Sequence, residues 1–197
     1  QYAPHAVPDV KKAECDFLAC SAYKFYGPHV GILWGKAELL ESLSPWKVRP
    51  ASEQIPHRWE TGPLNHEGIA GTLGALEYLA SLGDGDLSTA MQRIAEWENA
   101  LTQRLLDGLG PQFQLQGLPA GPDRVPTVAL THQSESPSEL AQGLAEQGIC
   151  VWSGHNYAIE VTKRLGLDDR GGVLRIGMAH YNTLDEIDRT LEVLHHL

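Results

Sequence analysis

Two short apolar runs, Asp16–Ser21 (DFLACS) and Val30–Trp34 (VGILW), stand eight residues apart near the start of the chain. Each has the length and β-branched or aromatic content of a buried strand. The segment between them, Ala22–His29 (AYKFYGPH), is rich in turn formers and carries one lysine, Lys24. A lysine at the end of a buried strand and flanked by aromatic rings is an unusual thing to fold. Whatever architecture the chain adopts must find a use or an exit for that ammonium.

Helical periodicity takes over downstream. Lys36–Leu43 reads as a short helix, and 44–64 is irregular, with many prolines and polar residues. His66–Leu82 places Ile69, Leu73, Leu76, Leu79 and Ala80 at helical spacing. Gly83-Asp84-Gly85 interrupts that pattern. It resumes over Leu87–Leu109, with Ile94, Trp97, Leu101 and Leu105 on one face and Gly108, Gly110 and Pro111 closing it. The remainder reads as a small α+β unit: antiparallel strands at 112–116 and 126–131, and a helix capped by Ser136 or Ser138 and running to Gln147. A strand at Gly148–Trp152, a helix at Asn156–Leu165 and a strand at Gly172–Gly177 follow. Thr183-Leu184-Asp185-Glu186 has capping-box form ahead of a last helix whose Ile187, Leu191 and Leu194 share a face. The boundary between two units is expected within or just after residues 83–110.

Composition removes whole classes of function. With 15 basic and 25 acidic residues the formal charge is −10, the wrong sign for a nucleic-acid or anionic-membrane surface. No apolar run approaches the roughly 18 residues of a membrane span. Three scattered cysteines suit neither a disulfide scaffold nor a structural zinc site, and a reducing cytoplasm is the simplest reading of them. The N-terminal segment has no initiator Met and no secretory signal, and the chain reads as a piece of something longer.

Two residues stand out as chemistry. Desolvation at the end of a strand would lower the pKa of Lys24 and make it nucleophilic enough for a Schiff base. The alternative is a loop lysine that snorkels to solvent. Arg175, embedded in the apolar Leu174–Gly177, cannot shed its charge and needs an anionic partner. That partner is a ligand carboxylate held in a bidentate clamp or a structural Asp or Glu. Ser21-x-x-Lys24 also matches the penicillin-recognising serine enzymes, but their Ser-Asp-Asn and Lys-Thr-Gly partners are missing. His66-Glu67 fails as a zincin because Ala70 fills the second histidine position. The other histidines, including His195-His196, lack ligand spacing, so no metal is expected. Cys150 reads as the interior of a strand.

Taken together, three segments carry a resemblance. Ser21–Pro28 (SAYKFYGP) resembles the cofactor-lysine segment of the cysteine desulfurase-like, class V aminotransferase group of fold-type I pyridoxal-phosphate enzymes. Glu60–Asn65 (ETGPLN) is similar to that group's Glu-x-Gly-Thr-Pro-Asn turn, and Arg175–Thr183 to its Arg-x-x-x-x-His-Tyr-Asn-Thr stretch. The resemblance implies an α/β fold, the C-terminal part of a fold-type I transferase. Residues 1–100 would be the end of the large, mixed-sheet cofactor domain and residues 101–197 a small α+β domain. It also implies pyridoxal 5'-phosphate as cofactor, a small amino acid or amine as substrate, and a homodimer.

Carried over by residue, Lys24 would hold the cofactor as a Schiff base, Ser21 and Tyr23 would contact its phosphate, and Gln1 its phenolic oxygen. Tyr23 stands where desulfurases usually have histidine. Arg175 would clamp the substrate carboxylate. His5 matches a recurrent histidine with no role attached. The aspartate that pairs with the pyridine nitrogen would precede Gln1, so the chain is expected to be the C-terminal half of its parent. Two departures bear on the reaction. Tyr157 follows Gly154-His155-Asn156 where desulfurases carry their nucleophilic cysteine, and Pro63 replaces the threonine that reaches the partner's phosphate. An enzyme other than a standard desulfurase is therefore expected. The rivals are a desulfurase using another thiol, such as Cys150, and a non-catalytic scaffold that keeps the fold.

Overall fold

The computed structural model describes residues 1–60 and 62–197. Its elements run β1 (Phe17–Ser21), a 3-10 turn (Ala22–Phe25), β2 (Gly31–Gly35), α1 (Ala37–Ser42), a second 3-10 turn (His57–Trp59), α2 (His66–Ser81) and α3 (Leu87–Gly108). After these come β3 (Phe113–Leu115), β4 (Thr127–His132), α4 (Pro137–Glu146), β5 (Trp152–Gly154), α5 (Ile159–Arg164), β6 (Val173–Gly177) and α6 (Leu184–Leu194). The chain divides into two compact units, Gln1–Gln92 and Arg93–Leu197, so the division falls inside α3. No helix among the described residues is long and apolar enough to cross a membrane.

In the first unit β1 and β2 pair antiparallel, from Phe17 opposite Gly35 to Ser21 opposite Gly31. The nine residues between them, 22–30, form a closed tongue. Ala22 N–H donates to Val30 O at 2.8 Å, Gly27 N–H donates to Ala22 O at 2.9 Å, and Tyr26 takes a left-handed conformation at φ 72°. The expectation of buried strands is corrected here. Phe17, Leu33 and Trp34 are exposed, because each strand has only the other as neighbour among the described residues and the sheet faces stay uncovered.

Helix α2 falls where its spacing puts it. Its large apolar residues Ile69, Leu73 and Leu76 are exposed, and the buried stripe is Gly68, Ala75 and Leu79. Close approach explains the choice. A Cβ at Gly68 would run into Val30 Cγ2 and the Asn65 amide, and one at Gly71 would meet Pro28 Cγ at 3.1 Å. The tongue lies on the small-residue side of α2. Asn65 starts the helix by accepting from Gly68 N–H at 2.9 Å.

The second unit is an antiparallel sheet in the order β3-β4-β6-β5. Period-2 alternation sends Val128 and Leu130 of β4 and Leu174 and Ile176 of β6 into one core. Leu101 and Leu105 of α3, Leu140 and Leu144 of α4, and Ile187, Leu191 and Leu194 of α6 fill it from the helices. Capping boxes start two of those helices: Ser136 with Glu139 on α4, and Thr183 with Glu186 on α6. Arg104 of α3 binds Asp188 of α6 through two hydrogen bonds, at 2.6 and 3.0 Å.

Two expectations shift between α4 and α5. No strand covers Gly148–Val151; β5 begins at Trp152. The reason is that Ile149 N–H donates to Leu144 O and Gly148, at φ 75°, donates to Ala145 O, so this backbone closes the end of α4. The following helix starts at Ile159 and not Asn156, since Asn156 and Tyr157 adopt φ 49° and 64°. His155 holds them there: its Nδ1 accepts from Tyr157 N–H at 3.1 Å and its carbonyl from Ala158 N–H at 2.7 Å.

Candidate functional site

Lys24 sits on the 3-10 turn that follows β1, half-buried, in the first unit. Among the described residues no carboxylate pairs with it. Its ammonium instead stands 5.8 Å from the centroid of the Tyr23 ring. Ser21, the last residue of β1, precedes that turn without using its hydroxyl as a cap, so the oxygen is not committed to the local backbone. Tyr23 is exposed and stacks on His29, centroids 5.2 Å apart and planes 29° apart. Gln1 belongs to the same neighbourhood. Its main-chain nitrogen lies within electrostatic reach of Lys24. The structure thus collects Gln1, Ser21, Tyr23 and Lys24 around one tongue of the first unit.

The Glu60–Asn65 turn is described apart from Thr61, which lies outside the described residues. Asn65 is the α2 cap, the Glu60 carboxylate accepts from His57 Nδ1 at 2.9 Å, and Pro63 is exposed.

Arg175 belongs to the second unit, on β6, an interior strand. It faces Ala129 of β4 and Trp152 of β5 in register. Because Leu174 and Ile176 enter the core, Arg175 projects from the opposite face of the sheet. It is half-buried, and among the described residues no carboxylate or carbonyl accepts from its guanidinium. A structural ion pair was one of two explanations for this arginine, and none is present among the described residues.

Tyr157 is almost fully exposed, at 98%, on the loop that leaves β5. Asn156 Nδ2 donates to Gly154 O at 2.9 Å and, with the His155 bonds, fixes two successive non-glycine residues in the left-handed region. Cys150 is corrected from strand interior to an exposed thiol in the connection ahead of β5, for the helix-closing reason above. A cavity of about 210 Å³ in the second unit is lined by Cys150 together with Ile149, Val151, Ile176 and Met178.

His29 is the one member of the Lys24 neighbourhood that no spacing pointed to. Its only signal in the sequence is its place beside Pro28 at the end of the turn segment, which says nothing about a ring six residues away.

Comparison with known proteins places this geometry. A probable cysteine desulfurase of Pseudomonas putida is 32% identical over 202 residues, covering 96% of this chain and 47% of that protein. The apo cysteine desulfurase of Thermococcus onnurineus superposes over the whole chain with a TM-score of 0.86 at 27% identity, and the Escherichia coli cysteine desulfurase CsdA with a TM-score of 0.81 at 30%. The chain covers 50% and 49% of those two, so it spans about half the length of its relatives. The fold is therefore α/β, half of a fold-type I architecture. Residues 1–190 match the family model "Aminotransferase class-V", and the chain belongs to that family of pyridoxal-phosphate enzymes.

Proposed function

We propose that this chain carries the cofactor lysine and the substrate-carboxylate arginine of a pyridoxal-phosphate enzyme acting on a small amino acid or amine, through a reaction other than standard desulfuration. One observation carries it: among the described residues Lys24 is an amine without a carboxylate partner, set on a hydrogen-bonded tongue beside a serine hydroxyl that caps no helix and a phenol. That donor set suits the cofactor. The amine suits its aldehyde, and the hydroxyl of Ser21 and the phenol of Tyr23 suit its phosphate. The amide of Gln1 suits its phenolic oxygen. In this reading residues 1–100 close the cofactor domain and 101–197 form the small domain, in a homodimer.

The bound cofactor supplies an electron sink conjugated to the substrate α-carbon. The residues do the rest. Lys24 would hold the cofactor through its amine, and the same amine would take or return the substrate α-proton. Arg175 holds the carboxylate through parallel N–H···O bonds and so fixes which α-bond is presented for cleavage. Tyr157 in place of a cysteine brings a phenol where a persulfide-forming thiol is needed, which supports chemistry that leaves no sulfur on the protein.

A second reading has its own observation. Cys150 is exposed and lines a cavity, so a desulfurase working through that thiol stays in play. It predicts alanine and a protein persulfide from cysteine, lost in Cys150→Ala and kept in Tyr157→Phe.

The test is borohydride reduction of the full-length protein supplied with pyridoxal phosphate, followed by peptide mapping. A reduced phosphopyridoxyl group on Lys24, absent in Lys24→Ala, is the expected result. No label on Lys24 would sink the enzymatic reading and leave a fold retained for binding.

A further inference from the structure

The tongue that carries Lys24 is pinned to α2 at two points, and His29 lies between them. Pro28 rests against Gly71, where an added Cβ would meet Pro28 Cγ at 3.1 Å. Val30 occupies the space that a Cβ on Gly68 would need. The Ala22 N–H to Val30 O bond, 2.8 Å long, then ties the far end of the tongue to the residue that precedes Tyr23. The backbone of His29 is therefore held on both sides, while its ring is left exposed.

That ring is the surface on which Tyr23 leans, at 5.2 Å between centroids and 29° between planes. On its own, an exposed tyrosine on a 3-10 turn would spread over its staggered rotamers. A stacked partner on a fixed backbone selects one of them. The consequence reaches Lys24, whose ammonium lies 5.8 Å from the same Tyr23 ring. Contact thus runs from the glycines of α2 through Pro28 and Val30 to His29, Tyr23 and Lys24.

We propose that His29 is a positioning residue, whose stacked ring aims the Tyr23 hydroxyl at the phosphate of the bound cofactor. This rests on the reading of Lys24 and Tyr23 given above. His29 touches neither the aldehyde nor the reacting atoms in this scheme; it acts through Tyr23. Stacking is what matters, so an aromatic ring without nitrogens serves as well.

The experiment compares two probes on the full-length protein: pyridoxal phosphate and pyridoxal, which shares the aldehyde and ring but lacks the phosphate. Affinity is read from the imine absorbance, and the modified residue is mapped after reduction. An aromatic pair contributes enough that His29→Ala should weaken pyridoxal phosphate binding about 2- to 10-fold. Pyridoxal binding should stay unchanged. His29→Phe should restore the loss, and His29→Ala should add nothing to Tyr23→Phe, because the two residues act as one unit. If His29→Phe binds as weakly as His29→Ala, the imidazole itself is the needed group and positioning by stacking is wrong. Equal losses for both probes would show a damaged tongue and overturn the proposal too. If the wild type labels Lys24 and His29→Ala is indistinguishable from it, positioning falls alone. A wild type that labels Lys24 with neither probe brings down the cofactor-site reading, and positioning with it.

Discussion

The first unit carries Lys24 beside a sheet of two strands, whereas the second buries a dozen apolar side chains under a sheet of four. Leu101, Leu105, Val128, Leu130, Leu144 and Leu174 are fully buried in the second unit. In the first, Phe17, Leu33, Ile69 and Leu73 remain open to solvent. The lesson is that stability and chemistry are held by different means in the two units. A leucine-lined core supports the sheet that carries Arg175. The tongue of Lys24 is held instead by close approach to glycines and by backbone hydrogen bonds. Damage to the two should therefore look different.

The largest effect is expected at Leu174, the core neighbour of Arg175. Truncating a fully buried leucine leaves a cavity among Leu130, Leu140 and Leu191, and Leu174→Ala should cost about 2–5 kcal/mol. Hydrogen exchange on the full-length protein should show β4, β6 and the core helices losing protection, while the tongue keeps its own. Loss of protection spread evenly over both units would break the comparison.

The counterpart in the first unit is Gly68→Ala. Alanine would favour the helix by about 1 kcal/mol, but its Cβ collides with Val30 and the Asn65 cap. Overpacking of that kind costs about 1–3 kcal/mol, and one of the obstructing groups is itself the cap of α2, so the net effect is destabilising. Unlike Leu174→Ala, this change should move the tongue and slow the labelling of Lys24, with protection of the β4–β6 pair unaltered. A stabilised protein with normal labelling would show that the tongue is not seated on α2.

How much of this was legible in the sequence follows the same division. Where one residue decides local structure, the reading held. Thr183 and Glu186 form the capping box their spacing announces, Ser136 is the cap of the two serines offered for α4, and β1, β2, α2 and α3 fall where periodicity puts them. Burial was less legible, because a pattern marks an apolar face without naming what covers it. The apolar spacing of α2 marks a helix, yet the tongue lies on its glycine side. The stretch Gly148-Ile149-Cys150-Val151 has strand composition, but its amides are engaged in ending α4, a competition that composition does not record. Two of the motifs single out Lys24 and Ser21 in the first unit and Arg175 in the second by position alone. The ring of His29 beside Tyr23 depends on the tongue's closure and had no linear signature.

The smallest expected effect concerns acid. In the second unit Glu139 is held below the ordinary carboxylate range chiefly by the Ser136 hydroxyl, Glu186 chiefly by Thr183 N–H, and Asp188 chiefly by Arg104. A carboxyl whose folded pKa lies below its unfolded value of about 4 stabilises the fold in full above that value. The contribution disappears as pH falls through the folded pKa. Core-bearing helices α4 and α6 should therefore loosen below about pH 4, where the unfolded chain takes up protons first. All three groups are exposed, so solvent screens the gain and the slope is shallow. Glu139→Gln with Glu186→Gln isolates it, because glutamine keeps the capping box but does not titrate. The double variant should unfold with a flatter dependence on pH between about 5 and 2.5 than the wild type, measured by exchange of the α4 and α6 amides. An unchanged slope would mean that the capping carboxylates are not what couples this unit to acid, and would leave Asp188 with Arg104 as the group to replace next.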